Sequence, residues 1–294
     1  MIERIATWIG ESPFGRELAV QVQAADSESV SLLFPHDDRH GAGGALRSSA
    51  SGKVGMHGGA IASLVTMGSQ AVVRSVAGDF DAPSSIVSLD VAYVRSTRSS
   101  LTATTRAVRH VRELVFLETE IAGEDGAITA RASSVVRLGP AAGETGGRGI
   151  VAPIGEGNPH LLDAFRSALR TIPFIASREL GIAAAGPGRV DMTLGAPEAN
   201  RDRTGAIHEG AALTLLDVAG ATSPWTVATP SARAAGATVS LSAHFVAPLP
   251  SDGLLARATV RAADARMCWS DVALLGRTGE TLHAFGTVAY RYGD

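Results

Sequence analysis

GMHGGAIASLVTMGSQAVV at residues 55–73 recurs as AIHEGAALTLLDVAGATSP at residues 206–224, with His57 and His208 in register 151 residues apart. Downstream, IVSLDVAYVR at 86–95 recurs as TVSLSAHFVA at 238–247, which sets Ser88 against Ser240 and Tyr93 against Phe245. Upstream, SPFGREL at 12–18 answers TIPFIASREL at 171–180, so that Pro13-Phe14 matches Pro173-Phe174. Matched blocks in the same order mark one structural unit used twice. Between the copies, GPAAGETGGRGIVAPIGEGNP at 139–159 has the Gly- and Pro-rich composition of a surface linker. The expected organisation is therefore a first domain over 1–140, a linker at 141–159 and a second domain over 160–294.

Each copy reads as a short helix, two short strands, a longer central helix and a run of strands. The central helix of the first copy runs from Gly58 toward Gly78 and carries Ile61, Leu64, Val65, Val72 and Val73. A helix apolar nearly all round is a buried one. After it, Val87, Leu89, Val91 and Tyr93 alternate with Ser88, Asp90 and Ala92, the period of a strand with one face on a core. LTATTRAVRHV, ELVFLETEIAG and AITARASSVVRL follow, bounded by charged or Gly-containing turns, and read as an antiparallel meander. The economical arrangement is an α+β fold, an antiparallel sheet wrapped about the central helix of each copy. Pro224 is expected to end or kink the second central helix.

Composition narrows the partners. The 294 residues carry a net charge of -3 and no basic run, which gives nucleic acid no electrostatic footprint. At 45% hydrophobic, the chain supplies two ordinary cores. No stretch reaches the roughly 18 uninterrupted apolar residues of a membrane span, so no membrane role is expected. The single cysteine, Cys268, fits a reducing cytoplasm. Ile2, Ile5, Ala6 and Ile9 place an apolar face on a first helix, while Glu3 and Arg4 break any signal-peptide core.

The chemistry is concentrated at His57-Gly58-Gly59 and His208-Glu209-Gly210, each directly before an apolar helix. Free backbone N–H groups and the positive helix end converge there, ready for an anion or a developing oxyanion. Glycine lets a carbonyl approach closely, although a His-Gly turn can also do no more than start a helix. No G-x-S-x-G is present, no Walker A surrounds Lys53, and GAGGAL at 41–46 lacks the third glycine of a dinucleotide fingerprint.

HGGAIASLVTMG and HEGAALTLLDVAG, each followed by a V-S-L strand, resemble the hot-dog thioesterases of the PaaI type, twice over and across nearly the whole chain. The resemblance implies an acidic residue nine positions after the His, acting as general base or nucleophile. That position is Asp217 in the second copy and Thr66 in the first. Asp217 lies eight residues beyond Glu209, about 12 Å along its own helix, so one reacting carbonyl cannot reach both. In the family the acid and the His-Gly turn come from two antiparallel central helices. Carried onto this chain, one site combines Asp217 and Ser240 with His57 and Gly58, and the other combines Thr66 and Ser88 with His208 and Glu209. The second has lost its acid and has a carboxylate at the oxyanion glycine. One working site per chain is expected.

The resemblance thus implies an acyl-CoA thioesterase. Asp217 serves as base or nucleophile, Gly58 N–H as oxyanion donor, His57 orients the turn, and the Ser240 hydroxyl lies near the acid unless it is an ordinary strand serine. Gly59 and Ser51 are assigned to substrate, Ser51 standing where the family often has Asn. Arg95 and Arg98 are assigned to CoA phosphates, with Arg106, Arg109, His110 and Arg112 nearby. The loop at 35–53 is long enough to cover a site, and its His36, Asp37, Asp38 and His40 resemble metal ligands in type only. No metal and no cofactor beyond the CoA of the substrate are expected. A non-catalytic acyl-CoA-binding protein of the same fold is the alternative, and a homodimer of the two-domain chain is the expected assembly.

Overall fold

The computed structural model describes residues 1–41, 55–139, 147–148, 159–227 and 236–292. The first copy contains α1 (Ile2–Glu11), α2 (Pro13–Leu18), β1 (Gln21–Ala25), β2 (Ser29–Phe34), α3 (Gly58–Ala77), β3 (Ser84–Tyr93), β4 (Leu101–Val111), β5 (Leu114–Gly123) and β6 (Ile128–Leu138). A two-residue strand, β7 (Gly147–Arg148), follows. The second copy contains α4 (Pro159–Arg170), α5 (Pro173–Ala176), β8 (Leu180–Gly186), β9 (Arg189–Leu194), α6 (Glu209–Thr222), β10 (Gly236–Phe245), β11 (Leu254–Ala263), β12 (Met267–Gly276) and β13 (Thr281–Tyr292).

The strands form one antiparallel sheet in the order β1-β2-β4-β5-β6-β3-β10-β13-β12-β11-β9-β8, with β7 added on β13. That order is a palindrome about the β3–β10 pair. Within the pair, Ser242 lies opposite Asp90, its own counterpart in the repeat, so a pseudo-twofold axis passes between them. The β7 pairing, Arg148 with Thr281 and Gly147 with Leu282, lies inside the segment read as a linker and ties it to the sheet.

Both central helices lie buried on the inner face of this sheet, which explains their composition. α3 is long and apolar enough to cross a membrane by length and composition, yet 89% of its apolar window is buried inside this fold. It ends at Gly78, whose φ of +70° supplies a left-handed cap without a Cβ clash. α6 is shorter because Pro224 cannot continue it, and residues Ser223–Thr226 tighten into a 3₁₀ turn. Leu64, Val65, Leu213 and Leu216 are fully buried in the shared core.

α3 and α6 cross through small residues. A Cβ on Gly59 would lie 2.9 Å from Thr214 Oγ1, and one on Gly210 would lie 2.8 Å from Ser63 Oγ. The pairing of 59 with 214 and 63 with 210 makes the helices antiparallel. Ser63 Oγ is within 3.1 Å of the Gly210 carbonyl, in addition to its 2.7 Å bond to the Gly59 carbonyl.

One detail of the strand reading is corrected. β3 carries a bulge between Ile86 and Ser88, matched by one between Thr238 and Ser240 in β10. A bulge adds a residue and shifts the alternation. Ile86 rather than Val87 therefore joins Leu89 and Val91 on the buried face.

Candidate active site

His57 and His208 are the N-caps of α3 and α6 and act identically. His57 Nδ1 accepts a 2.9 Å hydrogen bond from Gly59 N–H, and His208 Nδ1 accepts one of 2.9 Å from Gly210 N–H. An accepting Nδ1 requires a neutral ring with its proton on Nε2. Burial enforces this, pushing the pKa of His57 down and that of His208 down to about 3. The rings are held by the Pro-Phe dipeptides in crossed fashion. Phe14 of the first copy stacks on His208 at 4.3 Å, and Phe174 of the second covers His57 at 5.3 Å. Between the two phenylalanines the fully buried Arg178 guanidinium lies 4.4 Å from Phe14 and 4.8 Å from Phe174, paired with Glu17.

The antiparallel crossing brings Asp217, on the third turn of α6, to the first turn of α3. A Cβ on Gly58 would stand 3.0 Å from Asp217 Oδ2. His57 Nδ1 is 3.8 Å from the same oxygen, and because the ring is neutral this contact is not an ion pair. Asp217 Oδ1 accepts a 2.7 Å hydrogen bond from Thr238 Oγ1. Burial at 3% exposure raises the Asp217 pKa, while the Thr238 hydroxyl and the Gly59 N–H pull against that rise. Gly58 N–H, at the first helical position, has no partner within the helix itself. Tyr93 Oη donates to the Gly58 carbonyl at 3.1 Å and so clamps this turn from β3. The result is a desolvated carboxylate facing a half-exposed helix start from the other copy, an arrangement suited to activating a nucleophile beside an oxyanion donor.

The assigned residues divide. Asp217, His57 and Gly58 come together. Ser240 does not join them: it lies exposed on the outer face of β10, opposite Ala92 and Ala289. Thr238, two residues earlier and inward because of the bulge, bonds the acid instead. Gly59 is also reassigned: its N–H is directed at His57 Nδ1 and the Asp217 carboxylate and its Cα packs on Thr214, so it serves the acid and the helix crossing. Arg95 is held in a 2.6 Å ion pair with Asp125, and Arg98 is exposed on the loop after β3. Ser51 and most of the 35–53 loop lie outside the described residues. Among the described residues no group of three or more His, Cys, Asp or Glu side chains is arranged to hold a metal.

Thr238 and Tyr93 escaped the sequence reading. The available signal was the comparison of copies: Thr238 answers Ile86 and Tyr93 answers Phe245, so both polar groups stand on the Asp217 side.

The other pseudo-site is built differently. Thr66 Oγ1 donates to its own helix at Ser63 O, 2.7 Å away. One turn on, Gln70 Nε2 donates to Glu209 Oε2 at 2.7 Å, and Ile86 N–H donates to Glu209 Oε1 at 3.0 Å.

Neither a protein-family model nor a curated protein matches the chain. Solved structures do. A hot dog fold protein of unknown function from Alicyclobacillus acidocaldarius superposes with a TM-score of 0.62 at 12% identity, over 92% of this chain and 95% of that one. The chain has a tandem hot-dog fold. The acyl-CoA thioesterase II TesB2 of Mycobacterium marinum superposes on this tandem hot-dog chain with a TM-score of 0.62 at 13% identity, over 100% of this chain and 98% of that one. A tesB protein of Mycobacterium avium subsp. paratuberculosis gives 0.56 at 11% identity, over 100% and 99%. Full coverage of both partners means that the likeness extends to the paired arrangement of the two hot-dog units.

Proposed function

We propose that this tandem hot-dog protein is an acyl-CoA thioesterase with one hydrolytic site per chain. The observation that carries the reading is the approach of the Asp217 carboxylate from α6 to Gly58 at the start of α3. Asp217 removes a proton from water, the hydroxide adds to the thioester carbonyl, and the Gly58 N–H receives the oxyanion. Collapse of the tetrahedral intermediate breaks the C–S bond, and the departing thiolate takes up the proton. A raised Asp217 pKa supports the base role, because a base near the operating pH is the more effective one. Direct attack by the carboxylate is the variant of the same chemistry, and ¹⁸O-labelled water separates them: only attack by Asp217 places label in the protein after a single turnover.

Asymmetry between the copies supports a single site. Asp217, Thr238, Tyr93 and Gly58 stand on one side, where the other has Thr66, Ile86, Phe245 and Glu209. The solved structures of the same paired arrangement that are named as thioesterases support the substrate class. A cytoplasmic setting and a homodimer of the chain complete the proposal.

Free-thiol release from a panel of short, long and aromatic acyl-CoAs tests the reading. Steady turnover of at least one member is expected. Saturable acyl-CoA binding without thiol release would leave a binding protein of the same fold.

A further inference from the structure

A cavity of about 240 Å³ opens at the pseudo-site that lacks the helix acid. Its polar wall is made by Gln70, Ser84, Asp202 and Glu209, and its apolar wall by Ile207, Phe245 and Leu249. The site has kept a buried carboxylate by another route. Asp217 lies beside Thr238 of β10, and Glu209 lies beside Ile86 of β3, the residue that answers Thr238. The carboxylate here stands at the start of one central helix instead of in the middle of the other, beside the corresponding strand position.

That carboxylate is fixed. Each oxygen accepts one hydrogen bond, from Ile86 N–H or from Gln70 Nε2. Gln70 is itself oriented through its carbonyl oxygen by Arg74 and the Ser84 hydroxyl. Arg74 directs Nη1 to Gln70 and to Ser84 Oγ at 2.7 Å, and lies over the Trp8 ring at 4.5 Å. It is 7% exposed. Asp202 receives Thr204 N–H, Thr204 Oγ1 and Ala206 N–H on one oxygen, Oδ1.

The chemistry of possible occupants can be narrowed by exclusion. Thioester hydrolysis fails here, because Thr66 stands where the other site has Asp217 and the Glu209 carboxylate occupies the position of the oxyanion glycine. Small anions meet two carboxylates against the single Arg74 guanidinium. A metal finds no group of three suitable ligands among the described residues. With both carboxylates ionised, Asp202 and Glu209 against Arg74 leave the lining with an excess of one negative charge, which a monocation with hydrogen-bond donors neutralises. Burial and the Asp202 charge both raise the Glu209 pKa, a cost that a bound cation relieves.

We propose that the Glu209 pseudo-site is a second ligand site that binds a small primary ammonium compound, its head on Glu209 and Asp202 and its apolar body against Phe245 and Leu249. The volume, below the roughly 300–1,000 Å³ of drug-sized sites, suits a ligand of about phenylethylamine size.

Calorimetric titration of the full chain with 2-phenylethylamine, 2-phenylethanol and 3-phenylpropanoate tests this independently of thioester hydrolysis. The amine is expected to bind one per chain, at least tenfold tighter than the alcohol, with no measurable carboxylate binding. Glu209→Gln should weaken the amine at least tenfold and leave thiol release from acyl-CoA within twofold of wild type. Leu249→Trp, which fills the cavity from its rim, should abolish amine binding without touching the carboxylates and guards against a folding defect in the first variant. The proposal is overturned by absence of amine binding, by equal binding of the carboxylate, or by amine affinity that neither substitution changes.

Discussion

The Thr238 hydroxyl donates a 2.7 Å hydrogen bond to Asp217 Oδ1, while Ser240, two residues along the same strand, faces away from the helix. The contact with the acid that was expected of Ser240 is made by Thr238. A hydrogen bond to a carboxylate favours its charged form, so Thr238 holds down part of the pKa rise that burial imposes on Asp217. Thr238→Val should lower kcat/KM about 10- to 100-fold, the scale of a lost bond to a charged group, and move the rising limb of the pH–rate profile to higher pH. Ser240→Ala should leave both unchanged. Steady-state kinetics across pH checks the contrast.

Neighbouring glycines should respond in opposite ways. A methyl on Gly58 would press on the Asp217 carboxylate at 3.0 Å, so Gly58→Ala should reduce kcat at least tenfold with a small change in stability. A methyl on Gly59 would meet both Thr214 Oγ1 and the Thr214 Cα, at 2.9 and 3.0 Å, where backbone has to move. Gly59→Ala should cost about 1–3 kcal/mol of stability, the usual range for overpacking. Denaturant unfolding beside kinetics distinguishes the two.

Much of this was legible in the chain. Two copies, their element order, the antiparallel sheet, the buried central helices and the stop at Pro224 all follow from repeated blocks and periodicity. The meeting of Asp217 with the His57-Gly58 turn was expected because a 12 Å helical separation forbids a site within one copy. Ser240 was misplaced although its own alternation was informative: Ser88, its counterpart, falls on the polar face of its strand. The resemblance outweighed that pattern. The paired bulges that turn Thr238 inward leave no local mark in IVSL or TVSL, since an extra unpaired residue is set by packing against the helix. Gln70 meeting Glu209 was invisible for a related reason, as nothing within either helix specifies which turn of one faces the start of the other.

Asp217 should also carry a stability cost. Its folded pKa is raised, so the folded state holds its proton to higher pH than the unfolded chain, and stability is lost as pH rises from about the ordinary value of 3.8 through the folded pKa. Asp217→Asn removes the charge that is formed there. The variant should melt higher than wild type at neutral pH, by about 2–4 °C for each kcal/mol relieved, and the difference should vanish in acid below the ordinary carboxylate range. Thermal unfolding as a function of pH reads it directly.

The capping histidines act with the opposite sign. The pKa of His208 is depressed to about 3, so its contribution is complete above the ordinary value of 6.5 and is lost as pH falls from there toward 3. Asn is among the best N-cap residues and does not titrate. His208→Asn should lower stability at neutral pH, because the Phe14 stack is gone, yet flatten its decline between pH 6.5 and 4. An equal slope in both proteins would show that His208 does not carry the acid sensitivity.

Only one of the two pseudo-sites is expected to hydrolyse thioesters. Initial rates of thiol release from the best acyl-CoA, compared among wild type, Asp217→Asn and Thr66→Ala, decide it. The arrangement of Asp217 against Gly58 predicts a loss of at least a hundredfold for Asp217→Asn and a rate within twofold of wild type for Thr66→Ala. Retained turnover in Asp217→Asn, or its loss in Thr66→Ala, would contradict a hydrolytic site built on Asp217.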